Sequence, residues 1–298
     1  MYSNEFNFLR FLNNLVHLDN DKYSQTISKV SIDKENKKSL VKSNTKILNF
    51  EKIIEEAFQN QSSPATVDGL YFNFNKNNKL TLFFIEFKGD DLTRKSWKSF
   101  FKDNILSLPA NACKNQNVNC PIKNLEYNQL KTLYEHYNDE IIHQLHIKPI
   151  ESILIGLPQL FENYANEKFE KIDIISNYIK CKIHIISSDS SKNKSNSHLT
   201  SKKEVKDKYS LYVNRKFFEY QTFNVEDYKE NFIPKIDLFP ISFIDIIISI
   251  VDQINENNLS MDDTSNILNN YLSKNKIKIK EQQKVKLIKT IKYYIQNS

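Results

Sequence analysis

Two acidic residues and a lysine in this chain are of the types that phosphate chemistry uses. Asp68 is followed by Gly69, and seventeen residues separate Asp68 from Glu86. Lys88 stands two positions after Glu86. Carboxylate oxygens are the hard ligands that Mg²⁺ or Mn²⁺ takes, and a nearby lysine can act as a base or stabilise developing negative charge. This combination favours hydrolysis of a phosphodiester, an anion that resists attack until a metal neutralises it and activates water.

A β-hairpin is the element that must position these side chains. Residues 67–74 and 79–88 are two β-prone runs joined by an asparagine-rich turn, and the second is almost continuously apolar, as in a central strand covered on both faces. Side chains two apart on a strand share a face, so we expect Glu86 and Lys88 to project together. The first strand of the hairpin can bring Asp68 to the same place.

The Glu-x-Lys pattern by itself is weak in a lysine-rich chain. It occurs at 35–37, 86–88 and 204–206, and only the middle copy ends an apolar strand and follows an acid across a hairpin. Burying charged side chains without compensation is costly, which favours a functional reason for this copy. The alternative is an ordinary surface glutamate and lysine at a strand end that reaches solvent.

A glutamate-bearing helix is predicted just before the hairpin. Asn49 is a suitable N-cap, and apolar residues recur at helical spacing over residues 50–58. The polar side carries Glu51, Glu55 and Glu56. Glu51 borders the apolar face, so it is the glutamate that we expect to point inward.

This arrangement resembles the PD-(D/E)XK nuclease superfamily over residues 49–104. The resemblance implies an αβββαβ core with a metal-dependent phosphodiesterase site. It implies that Asp68 and Glu86 ligate Mg²⁺ (or Mn²⁺) and that Lys88 orients or activates the attacking water. It also implies that a helix glutamate assists, and we expect Glu51 to be this additional metal ligand.

Two features depart from the family pattern. Val67, rather than a proline, directly precedes Asp68, and Pro64 lies four residues before the aspartate. No Gln-x-x-x-Tyr sequence follows the Glu-x-Lys, as it does in the recombination exonuclease branch. These departures bear on the subfamily more than on the fold.

Composition limits the class of protein. The 298 residues are 40% hydrophobic and 12% aromatic, which excludes a disordered chain and supplies a large core. A net charge of +6 fits a nucleic-acid partner, although an A/T-rich coding bias would also produce many lysines. Three glycines exclude phosphate-loop and dinucleotide-binding patterns. Three cysteines, and the lack of a long apolar run or signal-peptide pattern, predict a cytoplasmic protein that does not span a membrane.

These observations together predict an α/β protein with a restriction-endonuclease-like mixed central sheet, flanked by helices, and a helical C-terminal region. Residues 1–48 are assigned to an N-terminal helix and polar segment, 49–235 to the nuclease-like core with a mobile insertion at 188–207, and 236–298 to the helical region.

The predicted function is divalent-metal-dependent hydrolysis of phosphodiester bonds in DNA, of restriction or repair type, with a homodimer as a candidate assembly. The alternative is a non-catalytic module that binds nucleic acid or protein on a nuclease-like fold. A third interpretation is an interaction protein in which the helical C-terminal region docks a partner and the motif is accidental.

Overall fold

The structure is a computed structural model that describes residues 4–19, 22–33, 37–58, 63–88, 147–165, 179–187 and 218–297. The predicted insertion at 188–207 lies outside these residues.

One open sheet forms the centre of the described structure. Its strands are β1 (Ser24–Thr26), β4 (Lys46–Asn49), β5 (Gly69–Phe74), β6 (Leu80–Lys88), β7 (Lys180–Ser187) and β8 (Phe218–Asn224), while β2 (Ile32–Asp33) and β3 (Lys38–Ser39) pair separately. The spatial order is β1-β4-β5-β6-β7-β8, antiparallel as far as β6 and parallel from β6 to β8. The predicted mixed central sheet is therefore confirmed. The segment 1–48 contributes β1 and most of β4 to this sheet.

The predicted hairpin is present, with β5 and β6 paired along the whole of β5. The Asn75 side chain accepts backbone hydrogen bonds within the turn, and Asn78 adopts φ 58°, a left-handed conformation that asparagine tolerates. β5 begins at Gly69 rather than at residue 67, because the N–H of Val67 donates to the side chain of Ser152 instead of to a neighbouring strand.

Helices flank the sheet. They are α1 (Asn4–His17), α2 (Ile27–Val30), α3 (Phe50–Ala57), a helical segment from residue 147 that contains a π-helix (Ser152–Gly156) and continues as α4 (Leu157–Ala165), α5 (Val225–Asn231), α6 (Ile233–Leu238), α7 (Phe243–Glu256), a 3-10 turn (Met261–Asp263), α8 (Thr264–Lys274) and α9 (Glu281–Gln296). Asn49 caps α3 as predicted, since its side chain accepts from the N–H of Lys52 at 3.1 Å.

The two faces of the sheet are covered by different helices. Phe50 of α3 packs edge-on against Phe84 of β6, with ring centroids 5.7 Å apart. Phe84 and Glu86 share a face of β6, so α3 lies on the face that carries the glutamate. On the other face, Phe232 at the junction of α5 and α6 contacts Phe83, with centroids 5.0 Å apart.

The C-terminal region is helical, as predicted. The strongly apolar α7 packs against α1, α8 and α9. One continuous core cluster runs from Phe6 in α1 through the sheet to Tyr294 in α9. Within the described ranges, no helix has both the length and the apolar character that crossing a membrane demands.

Candidate active site

The register of the hairpin brings Asp68 to Glu86. Gly69 pairs with Ile85, so Asp68 stands one residue further along, across from Glu86. The Asp68 carboxylate accepts a hydrogen bond from the backbone N–H of Phe87 at 2.6 Å. The acid that precedes β5 is thereby fixed to the end of β6.

Glu86 lies at the centre of a charged cluster. Its side chain is 1% exposed, and its Oε1 atom lies 3.1 Å from Nζ of Lys88 and 2.9 Å from Nζ of Lys148. Its Oε2 atom is buried without a hydrogen-bond partner among the described residues. The structure thus brings Asp68, Glu86 and Lys88 together, and it adds a second lysine.

Lys148 is a residue that the sequence motif did not identify. It lies in the helical segment just before the π-helix, 62 positions from Glu86 in the chain. Burial lowers the pKa of Lys148, but the charges of Glu86 and Asp68 outweigh burial, so the pKa is raised overall. Lys148 therefore stays an ammonium group. No short-range pattern pointed to it, because only the packing of this helix on the sheet brings it to Glu86.

The same helix also holds the chain that enters β5. The carboxylate of Glu151 accepts from the N–H of Ala65 at 2.6 Å, and the Ser152 hydroxyl accepts from the N–H of Val67 at 3.0 Å. These bonds fix the two residues on either side of Thr66, just before Asp68. A π-helix is uncommon and is frequently found at functional positions, and this one begins at Ser152.

Asp68 has an environment that disfavours its charge. Burial is the main cause and the negative charge of Glu86 the next, and together they raise the pKa of Asp68 well above its ordinary value. Lys148 and the hydrogen bond from Phe87 act in the opposite direction. Two carboxylates held this close are stabilised by a shared proton or by a shared cation.

The three glutamates of α3 have different surroundings. The negative charge of Glu51 contributes to raising the pKa values of both Asp68 and Lys148, so Glu51 acts electrostatically on the cluster. Glu55 is exposed, and Glu56 accepts hydrogen bonds from the side chains of Lys22 and Tyr23. Glu51 is therefore the helix glutamate whose charge acts on the predicted site, and its role as a metal ligand stays a prediction.

A divalent ion fits this cluster chemically. The donors are carboxylate oxygens, and Glu86 Oε2 is an acceptor whose hydrogen-bonding capacity is unmet in the part of the chain that the structure describes. In that same part no group of three or more His, Cys, Asp or Glu side chains forms a complete donor set. An ion held by Asp68 and Glu86 would take its remaining ligands from water or substrate, as Mg²⁺ commonly does.

The position of the cluster in the sheet also suits a binding site. β6 is the strand at which the sheet changes from antiparallel to parallel pairing, and Lys88 at its end pairs with Ser187 at the end of β7. Ligands of open α/β sheets bind beyond the carboxyl ends of the strands. The opposite face is closed here by aromatic rings around His184, whose pKa burial lowers to about 3. The polar chemistry at this end of β6 therefore belongs to the face with α3.

Comparisons of this chain with protein-family models, curated proteins and solved structures found no match.

Proposed function

We propose that this protein is a divalent-metal-dependent nuclease of the PD-(D/E)XK kind that hydrolyses phosphodiester bonds of DNA. The observation that carries the proposal is the buried carboxylate of Glu86, which lies across from Asp68 and contacts Lys88 and Lys148. Two acids and two lysines at the end of a central strand have the composition that binding a cation and a phosphate requires.

The order of the elements supports a restriction-endonuclease-like core. Strands β4, β5 and β6 form an antiparallel set, the helical segment 147–165 follows, and β7 then pairs parallel with β6. In chain order, β4 precedes the glutamate-bearing helix α3, and the hairpin, the helical segment and β7 follow it, so this arrangement shares the hairpin, the helix and the parallel strand of the αβββαβ order and differs in the place of one strand. Asp68 directly precedes β5 and the Glu-x-Lys residues end the adjacent β6, so both belong to one hairpin, as the resemblance implies.

Each residue of the cluster would have its own role in the reaction. Asp68 and Glu86 would hold Mg²⁺ (or Mn²⁺), with Glu51 as the additional acid on α3. When bound, the metal supplies a positive charge that neutralises the phosphate and lowers the pKa of a coordinated water. Lys148 keeps its proton and holds Glu86 Oε1 in place by a hydrogen bond.

Lys88 is the residue that we assign to the substrate side. It is the last residue of β6, its side chain is 25% exposed, and its ammonium group is 3.1 Å from Glu86. A cation in this position can orient an attacking water or stabilise the charge that develops on the phosphate. Loss of such a group typically slows catalysis by about 10²–10⁴-fold.

The test is cleavage of plasmid and single-stranded DNA with Mg²⁺ or Mn²⁺. We expect Lys88→Ala to lose about 10²–10⁴-fold in rate and to keep its fold and DNA affinity. Glu86→Gln should lose metal binding in calorimetry as well as cleavage. Matched controls are Lys76→Ala in the exposed turn and Glu55→Gln on the outer side of α3, which should both cleave as the wild type does.

Equal cleavage by wild type and Lys88→Ala would contradict the mechanism. Double-strand cleavage by one site in each chain would further require two chains, so we propose a homodimer on duplex substrate, which light scattering with and without DNA can measure.

A non-catalytic binding module is the second candidate. One observation favours it: the carboxylate of Glu86 already contacts two ammonium groups, so much of its charge is balanced without a metal. Failure of the wild type to bind a divalent ion and to cleave nucleic acid would select this candidate.

A further inference from the structure

The positive charge of the chain is concentrated in one short stretch near its C-terminus. Residues 274–292 contain eight lysines and a single acid, Glu281, for a net charge of +7. The whole chain carries +6, so all the other residues together carry −1. A coding bias alone would spread lysine charge along the chain. We call this stretch the lysine tract, and its lysines are Lys274, Lys276, Lys278, Lys280, Lys284, Lys286, Lys289 and Lys292.

The fold displays most of the lysine tract on the surface. The tract runs from the end of α8 through a short connection into α9. In the connection, Ile277 and Ile279 pack against the core, and the lysines on either side of each isoleucine are exposed. Lys289 is exposed on the outer side of α9, on the same helix as the exposed Val285.

Little negative charge neutralises the lysine tract. Within the described residues, its one ion pair joins Lys292 to the highly exposed Asp262 at 4.0 Å. Lys286 turns toward the sheet instead, where its Nζ bonds Asn73 and lies 4.8 Å from the ring centroid of Phe239. Burial lowers the pKa of Lys286 to about 8, so it contributes least to the surface charge. Within the part of the chain that the structure describes, the exposed lysines of the tract form no ion pair.

The lysine tract is remote from the carboxylates. Lys286 of the tract contacts the sheet at Asn73, which pairs with Thr81 on β6, whereas Glu86 lies five residues further along that strand. At about 3.3 Å per residue, the separation along β6 is roughly 16 Å. The lysine tract can therefore add affinity for a long ligand without touching the groups of the proposed active site.

We propose that the lysine tract is a binding surface for the phosphate backbone of duplex DNA. Lysines act as point charges that neutralise phosphates and carry no base information, so binding should be independent of sequence and steeply dependent on salt. The tract contains no aromatic side chain on which unstacked bases could stack, which favours a duplex over a single strand. The choice of nucleic acid over another polyanion rests on the proposed function.

The test measures fluorescence anisotropy of a labelled duplex of about twenty base pairs, in EDTA, over about 50–200 mM salt. The tract variant replaces Lys274, Lys278, Lys280 and Lys289 by Gln. The matched control replaces Lys38, Lys42, Lys76 and Lys79 by Gln, four exposed lysines outside the tract, so both variants lose the same charge.

We expect the tract variant to bind duplex at least about tenfold more weakly than the control. The slope of log K against log salt should fall by about 3 to 4, close to 0.9 for each lost phosphate contact. Equal weakening of both variants, or wild-type affinity in the tract variant, would overturn the proposal. The proposal would also be overturned if the protein bound phosphatidylserine vesicles or polyglutamate through the lysine tract and did not bind duplex DNA.

Cleavage separates this proposal from the proposed function. The Glu86→Gln protein should bind duplex as the wild type does, and the tract variant should need more substrate for half-maximal cleavage but reach the same maximal rate. Tract-dependent binding without cleavage by the wild type would reject the nuclease and keep the binding surface. Cleavage by the wild type, together with unchanged duplex affinity in the tract variant, would keep the nuclease and reject the binding surface.

Discussion

Glu86 is a buried carboxylate that contacts two ammonium groups through one oxygen. Lys88 and Lys148 both approach Oε1, and the second oxygen is left without a partner among the residues described. Two positive charges offset the cost of removing one carboxylate from water. The net charge of the cluster then depends on whether Asp68 is protonated, since its ionised form adds a second negative charge beside Glu86.

Neutralising Asp68 should stabilise the protein at neutral pH. Its pKa is raised by burial and Glu86, so the folded protein holds this proton at pH values where the unfolded chain, with a pKa near 3.8, has lost it. Stability is consequently lost as the pH rises from the unfolded value through the folded one. We expect Asp68→Asn to unfold at higher urea than the wild type at pH 7, with the difference vanishing below pH 3.8.

Bound metal should make the wild type more stable than Asp68→Asn. Saturating Mg²⁺ at about 100 times its Kd should stabilise the wild type by about 2.7 kcal/mol and leave Asp68→Asn much less affected. The exposed variant Asp262→Asn serves as the control and should follow the wild type with and without metal. An Asp68→Asn protein that is less stable than the wild type in EDTA at pH 7 would contradict this account of the charges.

At the scale of elements, the position of the segment just before β5 depends on the helix that carries Lys148. Val67 is buried, and its N–H has the hydroxyl of the equally buried Ser152 as its acceptor. The π-helix packs closely on α3, since a Cβ on Gly156 would lie only 3.0 Å from the Ile54 side chain. One helical segment therefore sets the position of both acid-bearing elements.

Removing the Ser152 hydroxyl should loosen this arrangement. Ser152→Ala leaves the buried N–H of Val67 without its acceptor, which should lower the free energy of unfolding by about 1–3 kcal/mol. Hydrogen exchange of the Val67 amide should accelerate as well. Ser273→Ala, at an exposed position of α8, is the matched control. Equal stability of the two variants in urea denaturation would show that Val67 finds another partner.

The sequence was sufficient for the elements whose pattern is local. Alternation and an asparagine turn predicted the hairpin, and an N-cap with helical spacing predicted α3. Strand alternation and hairpin register also predicted that Glu86, Lys88 and Asp68 would meet. Lys148 could not be predicted, because its contact with Glu86 spans 62 positions and depends on how one helix packs. The strand β1 has three residues, too few for any period to show.

At the scale of the whole molecule, the two ends of the described chain are joined through a buried acid. Glu5 in α1 is 4% exposed, and it accepts hydrogen bonds from the hydroxyls of Tyr293 and Tyr294 in α9. It also accepts from the backbone N–H of Leu80, the first residue of β6. The first helix, the last helix and the central strand therefore meet at one side chain, at the opposite end of β6 from Glu86.

Glu5→Ala should destabilise the whole fold. Three donors lose their acceptor, and at about 1–3 kcal/mol for each buried one we expect a loss of at least about 3 kcal/mol in urea denaturation at pH 7. Glu256→Ala, at an exposed position near the end of α7, is the control and should change stability by less than about 0.5 kcal/mol.

The loss of stability at alkaline pH should depend on the same contact of Glu5 with Tyr293 and Tyr294. Burial, and then Glu5, raise the pKa of Tyr293 to about 12 and that of Tyr294 well above 10. The unfolded tyrosines lose their protons near pH 10 while the folded ones keep theirs, so stability is lost as the pH rises above about 10. Without Glu5 the two pKa values lie closer to 10, so Glu5→Ala should lose stability less steeply between pH 10 and 12. Parallel curves for Glu5→Ala and the wild type would place the cause in burial alone.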